Sequence, residues 1–259
     1  MIGYRTARRP NPLLLAANTM KNRLDEHVAA YSGENLYDFD NEILLTWYPQ
    51  RIVANSKGAG SVLELGLGHG FAANIFSTNF RRHVVLEGSP AVIQNYKTRN
   101  PACDAQIVET YFEEFHTGEK FDVIVMGFVL EHVDDPVKLI RQYANYLSPR
   151  GKLFLAVPNA EVLNRRLGHL AGMLESMETL SENDLLLGHK RYYTVGSLSA
   201  EIARAGYQID KMEGIYLKPF TTGQIISLNL DQKVIRALCQ VGMDYPELSC
   251  GILAQISAR

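Results

Sequence analysis

The chain has 259 residues, with 26 Lys and Arg against 28 Asp and Glu, a formal net charge of −2 and 46% hydrophobic residues. Such a balance excludes a long disordered tail and a polyanion-binding surface, which would need a stripe of Lys and Arg, so no nucleic-acid partner is expected. Cys103, Cys239 and Cys250 form no C-x-x-C pair, which reads as reduced thiols of a cytoplasmic protein without a zinc site.

Residues 1–58 read as a helical N-terminal arm. Arg5, Arg8, Arg9, Lys21 and Arg23 precede the first acid, Asp25, but the apolar run from Leu13 to Ala17 is too short for a signal h-region or a membrane span. A basic amphipathic transit peptide is the alternative for this stretch. Further along, Ile43, Leu44, Trp47 and Ile52 recur near helical spacing, with Pro49 as a kink or boundary. Trp47 and Tyr37 fit ordinary aromatic core packing, with Tyr37 also a candidate for the substrate wall.

From Ser61 the pattern changes to short apolar strands alternating with amphipathic helices, the signature of a parallel sheet covered on both faces. Strands are predicted near 61–65, 83–87, 105–108, 121–126 and 152–157. The first empties into Gly66-Leu67-Gly68-His69-Gly70, a turn whose glycines carry no Cβ and tolerate positive φ, so a ligand can lie against the main chain. The second ends on Glu87, placed to accept from both hydroxyls of a ribose, with Gly88 beside it. Ser89-Pro90 and Asp135-Pro136 each combine an N-cap with proline at the first helical position. The second of these opens a helix with Leu139, Ile140, Tyr143 and Leu147 on one face, and Leu147 to Gly151 then turns into a strand.

A dinucleotide fingerprint, G-x-G-x-x-G, would need glycine where Phe71 stands. The order Glu64-x-Gly66-x-Gly68-x-Gly70 instead resembles motif I of class I S-adenosylmethionine-dependent methyltransferases, E/D-x-G-x-G-x-G. The segment from Phe121 to Pro136, with its Leu130-Glu131-His132, and the segment from Leu147 to Asn159 resemble the fourth- and fifth-strand segments of the same family. The likeness covers residues 60–160 strongly and the rest loosely, and it points to the branch similar to ubiquinone-biosynthesis enzymes. It implies an α/β, Rossmann-like, seven-stranded and mostly parallel sheet with an antiparallel terminal strand and helices on both faces, completed by a helical N-terminal arm and a lid. The divisions expected are an arm over 1–58, a cofactor core over 59–159, a lid over 160–193 and a C-terminal completion over 194–259.

S-adenosyl-L-methionine is the implied donor, leaving as S-adenosyl-L-homocysteine. Gly66, Gly68, Gly70, Glu87 and Gly88 are the residues expected to meet it. Glu64 either meets its amino-acid end or only caps the turn. After the third strand, where the family often carries an aspartate for adenine, this chain has Thr110, Tyr111 and Phe112, so an aromatic contact is expected there. Phe128 completes the cofactor list. It also replaces the first acid of an E-x-x-E-H metal motif found in some quinone-biosynthesis methyltransferases, so no metal is expected.

His132 and His189 are the candidate proton acceptors, since an imidazole titrating near neutrality can take the proton lost by a hydroxyl or ammonium nucleophile. Residues 160–193 break the strand–helix alternation and carry Arg165, His169, His189, Arg191 and Tyr192. Together with Lys218, they read as a substrate lid for a small molecule bearing an anionic group, a solvated helix face being the alternative. A helix is predicted over 197–206, with strands over 207–217 and 250–258. The resulting expectation is a cytoplasmic methyltransferase acting on oxygen or nitrogen of a small metabolite. A nicotinamide-dependent oxidoreductase and a non-catalytic binding protein are the alternatives, and a homodimer is compatible with this reading.

Overall fold

A computed structural model describes residues 36–257, with the side chain of Asn183 excepted. The N-terminal arm therefore comes into view only at its last part, and the reading of residues 1–35 lies outside the described residues. Seven strands form one sheet in the order β3-β2-β1-β4-β5-β7-β6. They are β1 Ser61–Leu65, β2 Arg82–Glu87, β3 Gln106–Glu109, β4 Phe121–Gly127, β5 Leu147–Pro158, β6 Lys211–Leu217 and β7 Ser249–Ser257. The first five run parallel, and β7 runs antiparallel to both β5 and β6.

Alternation along β1 divides the core into two layers, because successive side chains point to opposite faces of a sheet. Leu63 and Leu65 pack with Ile124, Met126, Leu139, Ile140, Tyr143, Leu198 and Ile202. The helices on that face are α4 Pro136–Ala144 and α7 Val195–Arg204. Val62 packs instead with Val123, Val125, Leu44, Tyr48, Ile52, Phe76 and Cys239. That face is covered by α1 Asp38–Asn55, α2 Phe71–Asn79 and α9 Gln232–Gly242. Ile52 and Ile140 are fully buried, and each such side chain contributes about 1.5–3 kcal/mol. The Arg51 guanidinium donates to both oxygens of Glu213 at 2.9 Å, pinning α1 to β6.

Helix starts follow the capping chemistry of the sequence. Ser89 Oγ accepts from Val92 N–H at 3.1 Å to open α3 Pro90–Arg99, and Asp135 Oδ1 accepts from Lys138 N–H at 2.9 Å to open α4. The next predicted helix begins two residues early, at Val195, because Thr194 rather than Ser197 is the cap and the two side chains close a reciprocal capping box. Pro49 does not end α1, which runs through it.

Two other sequence expectations shift. β5 begins at Leu147, where a turn was read, because Leu147 pairs with Phe121 and a register shift absorbs the intervening residues before Lys152 pairs with Val123. Residues 160–193, the segment read as a lid, contain α5 Leu163–Leu170 and α6 Glu182–Leu186, while α8 Thr222–Ser227 and α9 fill a stretch for which no element was predicted.

Gly70 is where the glycine turn meets the core. Its φ is +82° and a Cβ there would sit 2.6 Å from the Tyr96 ring, whereas Gly58, with φ +84°, has nothing within 4 Å. Gly70→Ala is expected to cost about 1–3 kcal/mol from the left-handed backbone and a similar amount from displacing Tyr96. Gly58→Ala should lose only the backbone part. Denaturant midpoints of the two variants check this, and equal losses would show that Tyr96 yields without cost.

Candidate active site at the carboxyl edge of the sheet

β1 and β4 are neighbours, yet the helix after β1 packs on one face and the helix after β4 on the other. At such a switch point the connections diverge and leave a crevice beyond the strand ends. Here the crevice is a cavity of about 870 Å³, within the range of small-molecule sites. The glycine turn, the ends of β2, β3 and β4, the first half of α1 and the lid all contribute to its wall.

At the turn, Gly66 N–H donates to Leu86 O at 2.8 Å, which ties β1 to β2 beyond their last ladder pair. Gly66 has φ +83°, and a Cβ built on it would stand 3.8 Å from the Phe112 ring and 4.0 Å from Val129. Glu87 is buried and accepts from Leu67 N–H at 3.0 Å and from Ser89 N–H at 2.8 Å, so its carboxylate bridges the glycine turn and the start of α3. Gly68, Gly70, Gly88, Tyr111, Phe112 and Phe128 also line the cavity. Phe128 has φ +58°, a strained backbone for a bulky residue and of the kind that collects at functional sites.

Glu64 lines the same end, but one of its oxygens is 2.8 Å from His83 Nε2, and His83 Nδ1 is 2.8 Å from Ser77 Oγ. Burial pushes the Glu64 carboxyl up and the histidine opposes that shift. The contact ties the Glu64 carboxylate to His83 on β2 and, through it, to Ser77 on α2.

The opposite end gathers both candidate bases. His132, on the loop after β4, and His189, on the lid, meet edge to face with ring centroids 4.8 Å apart. Beside them is Glu131, fully buried, with neither carboxylate oxygen hydrogen-bonded among the described residues. Burial raises its pKa to about 7, against the opposing pull of His189 and Arg191. One ligand atom from each of Glu131, His132 and His189 lies within 4.8 Å of the others. A divalent cation could be held there by one carboxylate and two imidazoles. The sequence argument against a metal counted ligands along a single segment and found Phe128 in place of an acid, whereas the fold sets His189, a group able to ligate, beside Glu131 and His132.

Of the substrate residues read from sequence, Tyr37, Arg165, Tyr192 and Lys218 line the cavity and His169 and Arg191 do not. His169 is exposed, with Nδ1 2.9 Å from Leu174 O. Arg191 donates to Leu130 O and Val133 O and so braces the lid against the loop after β4. Lys190 N–H adds a bond to Glu131 O at 2.8 Å. Arg165 donates to Met177 O and Thr179 O and lies 4.8 Å from the centroid of the Tyr192 ring. Lys218 Nζ is 2.5 Å from Asp40 Oδ2 and 2.8 Å from Thr222 Oγ1, all three buried.

Sequence reasoning missed Asp40, Tyr48, Glu131 and Asp184 as parts of this wall. Only Glu131 carried a readable signal, its place beside His132. Tyr48 enters because Gly127 leaves room for it: a Cβ at Gly127 would lie 2.2 Å from the Tyr48 hydroxyl.

Two outcomes are expected. The raised Glu131 pKa means that folding favours the protonated acid. The penalty is absent below its unfolded value near 4.5 and complete above about 7, where it amounts to about 3 kcal/mol. Glu131→Gln should therefore stabilise the protein at pH 8 and not at pH 4, which thermal melts at the two pH values will read. Lys218→Met should cost about 3–5 kcal/mol by leaving the buried Asp40 charge, to which the Thr222 hydroxyl also donates, without its counter-ion. The double change Asp40→Asn with Lys218→Met should recover much of that loss in chemical denaturation.

Comparison with known proteins agrees with this geometry. The sequence pattern described as a methyltransferase domain matches residues 41–212, more than half of the chain. A ubiquinone biosynthesis O-methyltransferase of Xanthomonas axonopodis pv. citri is 26% identical over 179 residues, which is 65% of this chain and 72% of that protein. One from Parvibaculum lavamentivorans is 31% identical over 122 residues, and the match spans 44% of each chain, less than half the length of that relative. Nodulation protein S of Bradyrhizobium diazoefficiens is 28% identical over 162 residues, 58% of this chain and 73% of that one. Among solved structures, the N-methyltransferase NodS of Bradyrhizobium japonicum with bound S-adenosyl-L-homocysteine matches with a TM-score of 0.57 at 14% identity, covering 92% of this chain and 98% of that one. At that identity it speaks for the fold alone. The glycine turn, the switch-point cavity and the domain match together make this chain a member of the methyltransferase domain family, dependent on S-adenosyl-L-methionine.

Proposed function

We propose that the chain transfers a methyl group from S-adenosyl-L-methionine to an oxygen or nitrogen of a small molecule held under the lid. The observation that carries this reading is the two-ended cavity. One end has a bare main-chain turn with the Glu87 carboxylate, and the other has a buried acid between two imidazoles. In this reading Glu87 takes the ribose hydroxyls, Gly66, Gly68 and Gly88 give the donor close approach to the backbone, and Tyr111 and Phe112 flank the adenine. The structure supports the fit, since a side chain on Gly66 would fill the space beside Phe112.

The bound sulfonium supplies an electrophilic methyl group. The protein has to hold the acceptor in line with it, keep water away and receive a proton when the nucleophile is a hydroxyl or an ammonium. Tyr37, Tyr48 and Tyr192 would shape the acceptor's space. His132 and His189 stand where the proton would be lost.

An anionic acceptor group finds less support. Arg165 and Lys218, the two lining cations named for it, already have protein oxygens as partners, while among the described residues Glu131 and one oxygen of Asp40 are buried without any. A neutral or cationic acceptor with N–H or O–H donors fits this wall better. The names of the relatives include both O- and N-directed enzymes.

The test is transfer from methyl-tritiated S-adenosylmethionine to a panel of phenols, amines and carboxylic acids, with S-adenosylhomocysteine binding followed by calorimetry. Label should reach a phenol or an amine. Glu87→Ala should weaken S-adenosylhomocysteine binding by about tenfold or more, the worth of one charge-assisted hydrogen bond. Tight binding with no transfer to any acceptor would favour the non-catalytic alternative, and transfer only to carboxylic acids would restore the anionic one.

A further inference from the structure

A line of buried and half-buried polar side chains runs from the strand before the glycine turn to the ring packed against the turn's last glycine. Val62 pairs with His83 and Glu64 with Val85, so Glu64 and His83 stand diagonally on one face of the sheet, the face that α2 covers. Both are buried. Glu64 Oε2 is 2.8 Å from His83 Nε2, and His83 Nδ1 is 2.8 Å from Ser77 Oγ on α2. Ser77 Oγ is in turn 3.0 Å from Cys103 Sγ, to which the Tyr96 hydroxyl donates at 2.9 Å. Tyr96 carries the ring that a Cβ on Gly70 would strike. The line therefore meets the turn at both ends, before Gly66 and at Gly70.

We propose that His83 is a positioning residue for the methyl donor: it holds the Glu64 carboxylate so that its second oxygen meets the ammonium of the donor's amino-acid end. The inference rests on the reading of this cavity as the S-adenosyl-L-methionine site. An ionised carboxylate only accepts, so His83 Nε2–H donates to it whichever charge the ring carries. That bond uses Oε2. No described residue bonds Oε1, and Glu64 lines the cavity.

The two carboxylates at this end of the cavity differ in what orients them. Glu87 is fixed by two backbone N–H groups, whereas Glu64 has His83 alone among the described residues. The ring cannot turn away from Glu64 without breaking its bond to Ser77, and an edge-to-face contact with Phe76, 6.0 Å between centroids, holds it from the side. Burial pushes the Glu64 carboxyl up, the Glu87 charge adds to that, and His83 opposes both. Without this partner the acid would hold its proton more tightly and offer a neutral group to a cationic one.

The experiment compares S-adenosylhomocysteine with methylthioadenosine by calorimetry on the full chain. Both carry the adenosine and an uncharged sulfur, and only the first carries the amino-acid end. The wild type should bind S-adenosylhomocysteine more tightly by about tenfold or more. His83→Phe keeps a ring beside Phe76 but cannot donate. It should weaken S-adenosylhomocysteine by about tenfold, as expected for one lost hydrogen bond to a charged group, and leave methylthioadenosine within about twofold. His83→Gln, whose amide can donate in the place of Nε2–H, should regain most of the loss, and Ser77→Ala, which frees the ring, should show a smaller loss on S-adenosylhomocysteine alone. Equal losses on the two ligands, as a merely structural residue would give, or no loss on either, overturn the proposal. So does a wild type that binds both ligands alike. If His83→Phe fails to fold, Ser77→Ala decides by the same comparison. A wild type that binds neither ligand loses the reading of the cavity itself, whereas one that binds both but shows no selective loss in the variants loses only the role of His83.

Discussion

The site exists because two adjacent parallel strands hand their chains to opposite faces of the sheet. After β1 the chain enters α2 on the layer with Val62 and Phe76, and after β4 it enters α4 on the layer with Leu63 and Ile140. Side chains cannot fill the gap that opens between the two departures without obstructing one of them. The ladder runs to the very edge of the sheet, where Gly66 N–H donates to Leu86 O and Phe128 N–H to Ala156 O, and one step beyond it Leu67 N–H turns to the Glu87 carboxylate. Unpaired backbone groups would be costly here, so the geometry of the turn is set by hydrogen bonding as much as by its glycines.

The two ends of the cavity use carboxylates in different ways. Glu87 accepts from two backbone N–H groups and is held in place. Glu131 is buried with no hydrogen-bond donor among the described residues, and burial raises its pKa into the neutral range. One residue type thus gives a fixed acceptor in one place and a proton-poised group in another, and the difference lies wholly in the surroundings. Residues 160–193 add a third arrangement at Asp184, whose carboxylate is buried but accepts on Oδ2 from Ser181 and Tyr192.

How the lid attaches matters for the same reason. Lys190 and Arg191 donate to carbonyls of Leu130, Glu131 and Val133, so the segment carrying His189 is fastened to the loop carrying His132. The basic residues of residues 160–193 therefore act in large part as structural donors. Charge composition invited the reading of an anion site, and the bond partners redirect it.

The parallel core was legible in the sequence because its determinants are local: strands buried on both faces read as apolar runs, Ser89 and Asp135 cap helices by contacts three residues away, and the glycine turn lies within ten residues of one segment. The positions of Glu87, at the end of β2, and of His132, on the loop after β4, were legible for the same reason. The extension of β5 to Leu147 depended on pairing with Phe121, a partner 26 residues distant, and α9 was overlooked although Asp231 and the spacing of Ile235, Cys239 and Gly242 marked it. Only tertiary structure could decide that Gly127 admits Tyr48, that Lys218 serves Asp40, and that Asp184 and His189 reach the side of His132. Those relations join residues tens to nearly two hundred positions apart, and the burial that sets their protonation and pairing is a property of the packed molecule rather than of any stretch of chain.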